Sequence, residues 1–415
     1  MPKERSIRGV VRAIRLAAVR IPRRWAVVIV GTLTMTVSYV DRQTLSVLAP
    51  HVTKALHMTD AEYGWLGSAF ALAYLIATPL SGWWLDGLGA RRGLVRSLFA
   101  WSTIAGLHAL VPGFGTLLCF RIALGLAEGP GFPGAAQTVQ RMLPAGERPR
   151  GFGLLFIGSS LGGMITPPLA AWLFREFGWR AAFLGTAFAG LAWIPLWIAV
   201  TRGSAVRAEL DRPTPHRAKR MRFAELAASP SMVRALIAVV ASSPIVLFVE
   251  QWSAKYLVGE LGVLQADIGH YLWLPPLWFD LGALAFGHLA ATSGRMRLLY
   301  GVATVIAASL ALAPFSTSPW AAVAVMSAAQ IGSGALRTLV TADLLAHIPS
   351  DAIALAGGTL ACAQSIAYIA ASPLIGYAHD HGIAYPTIAL VIAIWLIPGS
   401  IAWIVWRPNR SVDHV

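Results

Sequence analysis

The longest stretch of the chain without Asp, Glu, Lys or Arg covers residues 298–336, which is 39 positions. About 20 apolar residues are enough for one helix to cross the hydrocarbon core of a bilayer. Pro314 and Pro319 divide the stretch near its middle, and proline ends a helix because it has no amide donor. The stretch therefore predicts two membrane helices. With 56% hydrophobic and only 13% charged residues in the whole chain, a soluble globular protein is excluded.

The same kind of apolar stretch recurs along the rest of the chain. Together these stretches predict twelve spans, at residues 25–47, 61–85, 94–111, 116–140, 150–174, 179–201, 232–256, 267–291, 297–314, 319–345, 353–378 and 383–406. A polar, basic segment separates the first six from the last six. The sequence therefore predicts an all-α membrane protein with twelve transmembrane helices in two six-helix bundles, and an even number of spans places both ends on one side.

Basic residues indicate the orientation, because Lys and Arg are retained on the cytoplasmic face of a membrane. With the N-terminus inside, 26 of the 33 basic residues fall in the predicted cytoplasmic segments. We therefore expect a multi-pass protein of the cell inner membrane with both termini in the cytoplasm. The predicted divisions are a basic tail 1–24, a bundle 25–201, an interdomain loop 202–231, a bundle 232–406 and a tail 407–415.

The basic tail itself has a helical pattern, in which arginines recur every three or four residues at Arg5, Arg8, Arg12 and Arg15. Such a pattern is typical of a helix that lies on anionic lipid. A disordered tail that serves only to orient the protein explains the same residues. The sequence leaves both interpretations open.

Several function classes lack the residues they need. The net charge of +14 would suit nucleic acid in a soluble protein, but a mean hydropathy of +0.63 leaves no soluble body to carry such a site. No phosphate-binding loop, nucleophile elbow or HExxH metal motif occurs, and Cys119 and Cys362 lie far apart in apolar stretches. We therefore expect no enzymatic activity, no cofactor, no metal and no nucleic-acid partner.

Charged residues inside the predicted spans are the strongest functional signal, because each costs at least ~2.5 to 3.5 kcal/mol near the bilayer centre. The set comprises Asp41, Arg42, Arg121, Glu128, Glu250, Asp280 and Arg337. Arg121 and Glu128 are seven residues apart, which is close to two helical turns, so they share one face. Tyr39 and Arg42 are three apart and also share a face. We expect these faces to line a polar cavity.

A structural interpretation of these charges is a neutral network that only locks the first and fourth helices together. The functional interpretation is that arginines bind a carboxylate while the acids exchange protons. For Glu250 and Arg337 the two interpretations are equally supported. Asp280 lies deeper, and we regard it as a candidate polar site in the second half.

Five motifs carry a resemblance to a known family. They lie at residues 39–50 in the first helix, 82–92 in the following loop, 121–133 in the fourth helix, and 167–168 and 178–183 in the fifth and sixth. Over residues 25–406 the chain resembles the anion:cation symporter family of the major facilitator superfamily. Around Trp273 and at 280–282 it is similar to the hexuronate and aldonate transporter branch. The resemblance implies two bundles that alternate access to a central site.

The resemblance also implies roles for individual residues. Asp41 and Glu128 would be the proton-coupling carboxylates, with Arg121 as their countercharge. The substrate carboxylate and hydroxyls would be held by Arg42, Tyr39, Tyr74, Ser159 and Gln364. Ser159 departs from a Gln of relatives and Gln364 from a common Asn, which affects the sugar specificity. A cytoplasmic latch between the bundles would be formed by Asp86, Arg91 and Arg92.

These features favour proton-coupled symport of a sugar-acid anion, such as a hexuronate or aldonate, by a monomer embedded in the lipid bilayer. Another carboxylate, either an aromatic acid or a dicarboxylate, is the first alternative. Drug/H⁺ efflux is a second, although Arg42 argues against it, and a non-transporting membrane sensor is a third. The sequence does not distinguish which carboxylate is carried, the proton stoichiometry or the direction of transport.

Overall fold

A computed structural model describes residues 22–212, 223–349 and 352–406, and all regular secondary structure in these ranges is helical. The predicted tail helix around Arg8 and Arg12 lies outside the described residues. The first half contains α1 (Arg23–Ala55), α2 (Asp60–Leu88), α3 (Ala90–Leu107), α4 (Phe114–Glu128), α5 (Gly131–Met142), α6 (Arg148–Thr201) and α7 (Ser204–Leu210). The second half contains α8 (Phe223–Ala227), α9 (Pro230–Leu247), α10 (Ser253–Gly259), α11 (Gly269–Leu272), α12 (Leu274–Ser293), α13 (Met296–Ala307), α14 (Pro319–Leu345), α15 (Ile353–Asp380) and α16 (Tyr385–Val405).

These helices confirm the predicted twelve-span fold, with several spans built from more than one element. α4 and α5 form one span, and α9 and α10 form another around a π-helical turn at Phe248–Trp252. α13 continues as a 3₁₀ helix over Ala308–Phe315. Among the described residues, seven segments are by themselves long and apolar enough to cross a membrane. The other spans are interrupted by breaks or by the charges that the sequence pattern already marked.

The long α6 contains two spans separated by one residue. Gly178 has φ 82° and ψ 171°, a conformation that side-chain-bearing residues avoid because of their Cβ atom. A glycine here lets the chain leave one membrane helix and begin the next without a long loop. The predicted boundary between the spans 150–174 and 179–201 falls at the same point.

Helix starts follow ordinary capping chemistry. Thr59 accepts a hydrogen bond from the Glu62 amide, and the Glu62 side chain accepts one from the Thr59 amide, which is a capping box at the start of α2. Ser229 and Ser318 cap α9 and α14 through the amides three residues later. These caps satisfy amide groups at helix ends, where the bilayer surface gives way to loops.

Close packing of α1 on α6 depends on two glycines. A Cβ atom on Gly158 would lie 2.7 Å from the Thr32 backbone oxygen, and one on Gly162 would lie 2.6 Å from that of Thr36. The Thr36 hydroxyl also donates a hydrogen bond to the Gly158 carbonyl at 2.8 Å. Small residues at this spacing allow two membrane helices to approach closely. The contact holds α1, which carries the central charges, in position.

The hydrophobic core differs between the two ends of the molecule. We call the end that carries Pro22 and Trp406 the terminal side and the other end the opposite side. On the opposite side, residues such as Leu48, Leu66 and Phe183 share one core with residues of the second half. On the terminal side, the first half has apolar clusters of its own. The two halves are therefore closed together on the opposite side.

Candidate functional site

The central feature of the site is a buried ion pair between α1 and α4. A guanidinium N–H of Arg42 donates to Glu128 Oε2 at 2.8 Å, and the Glu128 side chain is fully buried while that of Arg42 is 25% exposed. The Ser38 hydroxyl donates to the same oxygen at 2.8 Å. Glu128 Oε1 is buried and makes no hydrogen bond among the described residues. One oxygen of the Glu128 carboxylate therefore accepts two hydrogen bonds, and the other accepts none from the described residues.

Three aromatic rings surround the guanidinium of Arg42. Its central carbon lies 4.7 Å from the ring centroid of Phe70, 4.9 Å from that of Tyr74 and 5.2 Å from that of Tyr39. Cation–π contacts of this kind stabilise an arginine by about 0.5–2 kcal/mol, more when water is excluded. The cage compensates part of the desolvation of Arg42 and fixes the direction in which its donors point.

Arg121 contacts the same ring, with its guanidinium carbon 4.8 Å from the Phe70 centroid. It is 4% exposed, and two of its nitrogens make no hydrogen bond within the described part of the chain. Glu128, Tyr63 and Arg42 lie within its electrostatic range. Arg121 therefore adds positive charge close to the Arg42 pair and is itself shielded from the solvent.

Asp41 points away from Arg42 into the interior of the first half. It is 3% exposed and lies opposite the indole N–H of Trp101 and the hydroxyl of Ser102 on α3, although the contacts are too loose for good hydrogen bonds. Glu128 interacts with it electrostatically. Asp41 and Glu128, the two carboxyl groups expected to exchange protons, therefore interact electrostatically. Asp41 faces α3, whereas Glu128 faces Arg42.

The second half supplies the facing wall of the site. Glu250, in the π-helical turn, lies within electrostatic range of both Arg42 and Arg337. Tyr368 on α15 interacts with Glu250, Arg337 and Tyr39, and its hydroxyl accepts a hydrogen bond from Gln364 Nε2 at 3.0 Å. The structure therefore brings Glu250 and Arg337, whose role the sequence left open, to the same region as Arg42.

A small, partly open pocket lies beside this wall, between the halves. Its polar lining consists of Gln43, Ser46, Glu250, Ser253 and Gln330. Gln330 is 1% exposed, and its side-chain oxygen has no hydrogen-bond partner among the described residues. Convergent polar groups of this kind fix the orientation of a small ligand.

Two expected site residues lie at the edge of this region. The Ser159 hydroxyl donates a long hydrogen bond of 3.4 Å to the Leu155 carbonyl, within its own helix. Asp280 on α12 is half-buried, and its carboxyl group lies near the Ser160 side chain of α6 in the other half. The structure thus places Asp280 at the seam between the bundles.

The three residues of the expected latch make contacts within the first half and the segment after it. Arg91 donates two hydrogen bonds to Asp211 Oδ2, at 2.9 and 3.0 Å, and Arg92 lies 3.5 Å from the same oxygen. Asp86 accepts a hydrogen bond from Gln137 at 3.3 Å. A latch to the second half stays a prediction for a conformation in which the terminal side is closed.

On the opposite side, a group of charged residues joins the two halves. We call it the Asp60 cluster, and its members are Asp60, Lys255, His379, Asp380 and Tyr385. Asp60 Oδ1 is 2.5 Å from Lys255 Nζ, and its Oδ2 is 2.5 Å from both His379 Nδ1 and the Tyr385 hydroxyl. Asp380 accepts hydrogen bonds from the Asp60 and Ala61 amides at 2.9 and 2.8 Å. The N-terminus of α2 is therefore tied to the second half.

Sequence reasoning missed several of these residues. Phe70 contacts both Arg42 and Arg121. The signal in the sequence was its spacing of four residues from Tyr74, which places both rings on one face of α2. Gln330 lies within the uncharged stretch 298–336, and a single amide there carried no charge to draw attention. Lys255 and Asp60 lie near predicted span ends, where charges are ordinary. Their pairing depends on how the halves meet.

Comparisons with known proteins agree with this geometry. The sequence model of the Major Facilitator Superfamily matches residues 31–372. A hexuronate transporter of Escherichia coli K12 is 24% identical over 94% of this chain and 95% of its own. A D-galactonate transporter of E. coli O6:H1 is 26% identical over 92% and 95%, and a probable galactarate/D-glucarate transporter of Bacillus subtilis is 26% identical over 85% of each chain.

Among solved structures, a bacterial homologue of the human lysosomal transporter Spinster, in an inward-facing and unoccupied conformation, has a TM-score of 0.79. It is 17% identical and covers 92% of this chain and 97% of its own, so the likeness concerns the fold. The superfamily sequence model covers most of the chain, and the relatives are transporters rather than enzymes. The chain is a multi-pass membrane transporter that belongs to the Major Facilitator Superfamily.

Proposed function

We propose that the protein carries a sugar-acid monoanion, such as a hexuronate or an aldonate, together with H⁺ by alternating access. The observation that carries the proposal is the Arg42–Glu128 pair at 2.8 Å. The Arg42 side chain is 25% exposed, and that of Glu128 is fully buried. An arginine held this way is a binding group for a carboxylate, because its planar fork matches two oxygens. The named relatives transport sugar acids of this kind.

Proton coupling follows from competition for Arg42. While Glu128 is ionised it occupies a donor of Arg42, and a substrate carboxylate must displace it. When Glu128 binds a proton, the pair loses its charge attraction and Arg42 is free for the substrate. Loss of the proton restores the pair and expels the anion. Asp41, which interacts with Glu128, would respond to the same change.

Orientation and conformation follow from the same proposal. With basic residues retained in the cytoplasm, the terminal side faces the cytoplasm and the protein resides in the cell inner membrane. Closure of the opposite side then corresponds to an inward-facing state, with the substrate leaving toward the terminal side. We propose that a monomer carries out the whole cycle, using the bundles 25–201 and 232–406.

The test is uptake of radiolabelled D-glucuronate or D-galactonate into proteoliposomes, with and without an inward H⁺ gradient. Wild type should accumulate substrate only with the gradient. In Glu128→Gln the binding site no longer depends on a proton, so we expect binding at pH 8 to match that of wild type at pH 6 and accumulation to be lost. Glu147→Gln is a matched control, because it removes a carboxylate from an Arg–Glu pair of equal length at the surface.

Three outcomes would each contradict one part of the proposal. Gradient-independent accumulation by wild type would remove proton coupling. Full coupling in Glu128→Gln would show that another group carries the proton. If the protein bound an aromatic acid and no sugar acid, the transporter assignment would stand, but the proposed substrate class would be wrong.

A further inference from the structure

Two buried groups of opposite charge on α4 each have unused hydrogen-bonding atoms, although they could satisfy one another. Glu128 Oε1 accepts no hydrogen bond from the described residues, and Nε and Nη1 of Arg121 donate none to them. Glu128 is 1% exposed and Arg121 is 4% exposed. The two residues share a helix face, and the charge of Glu128 acts on Arg121. Because a buried polar atom without a partner is costly, the separation of these two groups requires a cause.

The ring of Phe70 holds Arg121 in its position. The guanidinium carbons of Arg121 and Arg42 lie 4.8 and 4.7 Å from the centroid of this ring. Phe70 is 6% exposed, and cation–π attraction grows when water is excluded. Its backbone is fixed against α4, because a Cβ atom on Gly125 would lie only 2.5 Å from the Phe70 carbonyl oxygen. One ring therefore contacts an arginine that is paired with Glu128 and an arginine that is not.

Arg121 depends on this ring more than Arg42 does. Arg42 also contacts the rings of Tyr39 and Tyr74, and it keeps its ion pair. Arg121 makes its one cation–π contact within the described part of the chain with Phe70. Loss of the Phe70 ring therefore releases Arg121 before it releases Arg42.

We infer that Phe70 is a positioning residue, which holds Arg121 away from Glu128. The carboxylate is thereby left with a single cation, Arg42. This inference rests on the proposed function, in which a proton on Glu128 releases Arg42 for the substrate. If Arg121 also bound Glu128 Oε1, the ionised carboxylate would be stabilised twice, and a higher proton concentration would be needed to release Arg42. The ring thus sets the pH range in which the substrate can bind.

The other charged and titratable groups near this pair stay in place when the ring is removed. They lie on α1, on α2 and in the facing wall, and they are Asp41, Tyr39, Tyr63, Tyr74 and Glu250. None of these five is a cation. A second positive charge on Glu128 must therefore come from Arg121.

The experiment measures binding of D-glucuronate or D-galactonate to the purified full-length protein by calorimetry between pH 5 and pH 8. In Phe70→Leu the pH of half-maximal affinity should fall by about one unit, the lower end of the effect that a nearby opposite charge has on a carboxylate. At the acidic end of the range the affinity should approach that of wild type, because Glu128 is then protonated in both proteins. A purely structural role of the ring would instead lower the affinity at every pH.

Further variants separate the ring from its surroundings. Phe70→Met also removes the ring and leaves a flexible apolar side chain, in case the first variant does not fold. Phe70→Tyr keeps the aromatic face and should restore the wild-type pH profile. Phe286→Leu is the matched control, because Phe286 is 8% exposed and contacts no cation among the described residues. In an Arg121→Gln background, Phe70→Leu should no longer shift the profile.

Three outcomes overturn the inference. They are an unchanged pH of half-maximal affinity in both ringless variants, a loss of affinity that persists at pH 5, and a shift that persists in the Arg121→Gln background. The proposed function fails in a different way, which is that wild type binds no sugar acid or binds it equally at every pH.

Discussion

Asp60→Asn is the most direct test of how the two halves are held together. Asp60 Oδ1 lies 2.5 Å from Lys255 Nζ, and their side chains are 10% and 9% exposed. Removing one partner of a buried pair costs about 3–5 kcal/mol, because the other charge stays desolvated. The cost falls on the closed state, since Lys255 regains water when the opposite side opens. We use ~3 kcal/mol, the lower end, because His379 in the same cluster is one-third exposed.

A cost of ~3 kcal/mol shifts the equilibrium between closed and open about 100-fold toward opening. The assay is labelling of a cysteine at position 372 by a membrane-impermeant maleimide, after Cys119 and Cys362 are replaced by serine. Ser372 is 1% exposed and packs at the seam, so a cysteine there is protected while the opposite side is closed. The labelling rate should rise up to about 100-fold in Asp60→Asn, in proportion to the open population.

Asp267→Asn is the control, because it removes a carboxylate on the same side that belongs to no ion pair among the described residues. Equal labelling of Asp60→Asn and wild type would refute the reasoning, since Lys255 would then not depend on Asp60 for its burial. Faster labelling of the control would show that the effect is a general one of surface charge.

Two further predictions concern glycines. In Gly376→Ala the new Cβ would lie 2.1 Å from the Asp60 carbonyl oxygen, so α2 and α15 must separate. The maleimide assay should then again show faster labelling at position 372. A labelling rate equal to that of wild type would contradict this prediction. In Gly178→Ala no neighbour lies within 4 Å, and the cost is that of a backbone conformation nearly restricted to glycine, about 1–3 kcal/mol. A lower melting temperature in detergent, with unchanged labelling at position 372, is the expected result, and an unchanged melting temperature would disprove it.

Much of the site was accessible to sequence reasoning because charge in a membrane is rare. Arg42, Glu128 and Arg121 were identified as a group, and the structure brings them together around Phe70. Asp41 was grouped with them because it is adjacent to Arg42, yet it points toward α3. One position along a helix turns a side chain by about 100°, which distinguishes two neighbours but does not tell which helix each one meets.

By itself, the sequence determined the number of membrane spans and the charges of the central site. Apolar length and proline or glycine breaks define each span locally, and the cost of an isolated charge in lipid marks functional positions without any knowledge of packing. Only the tertiary structure decided which charges face each other. Glu250 lies within electrostatic range of Arg42, and Asp60 pairs with Lys255. The two members of each pair come from different halves of the chain, and their approach depends on how the two bundles pack and on which side of the membrane they close.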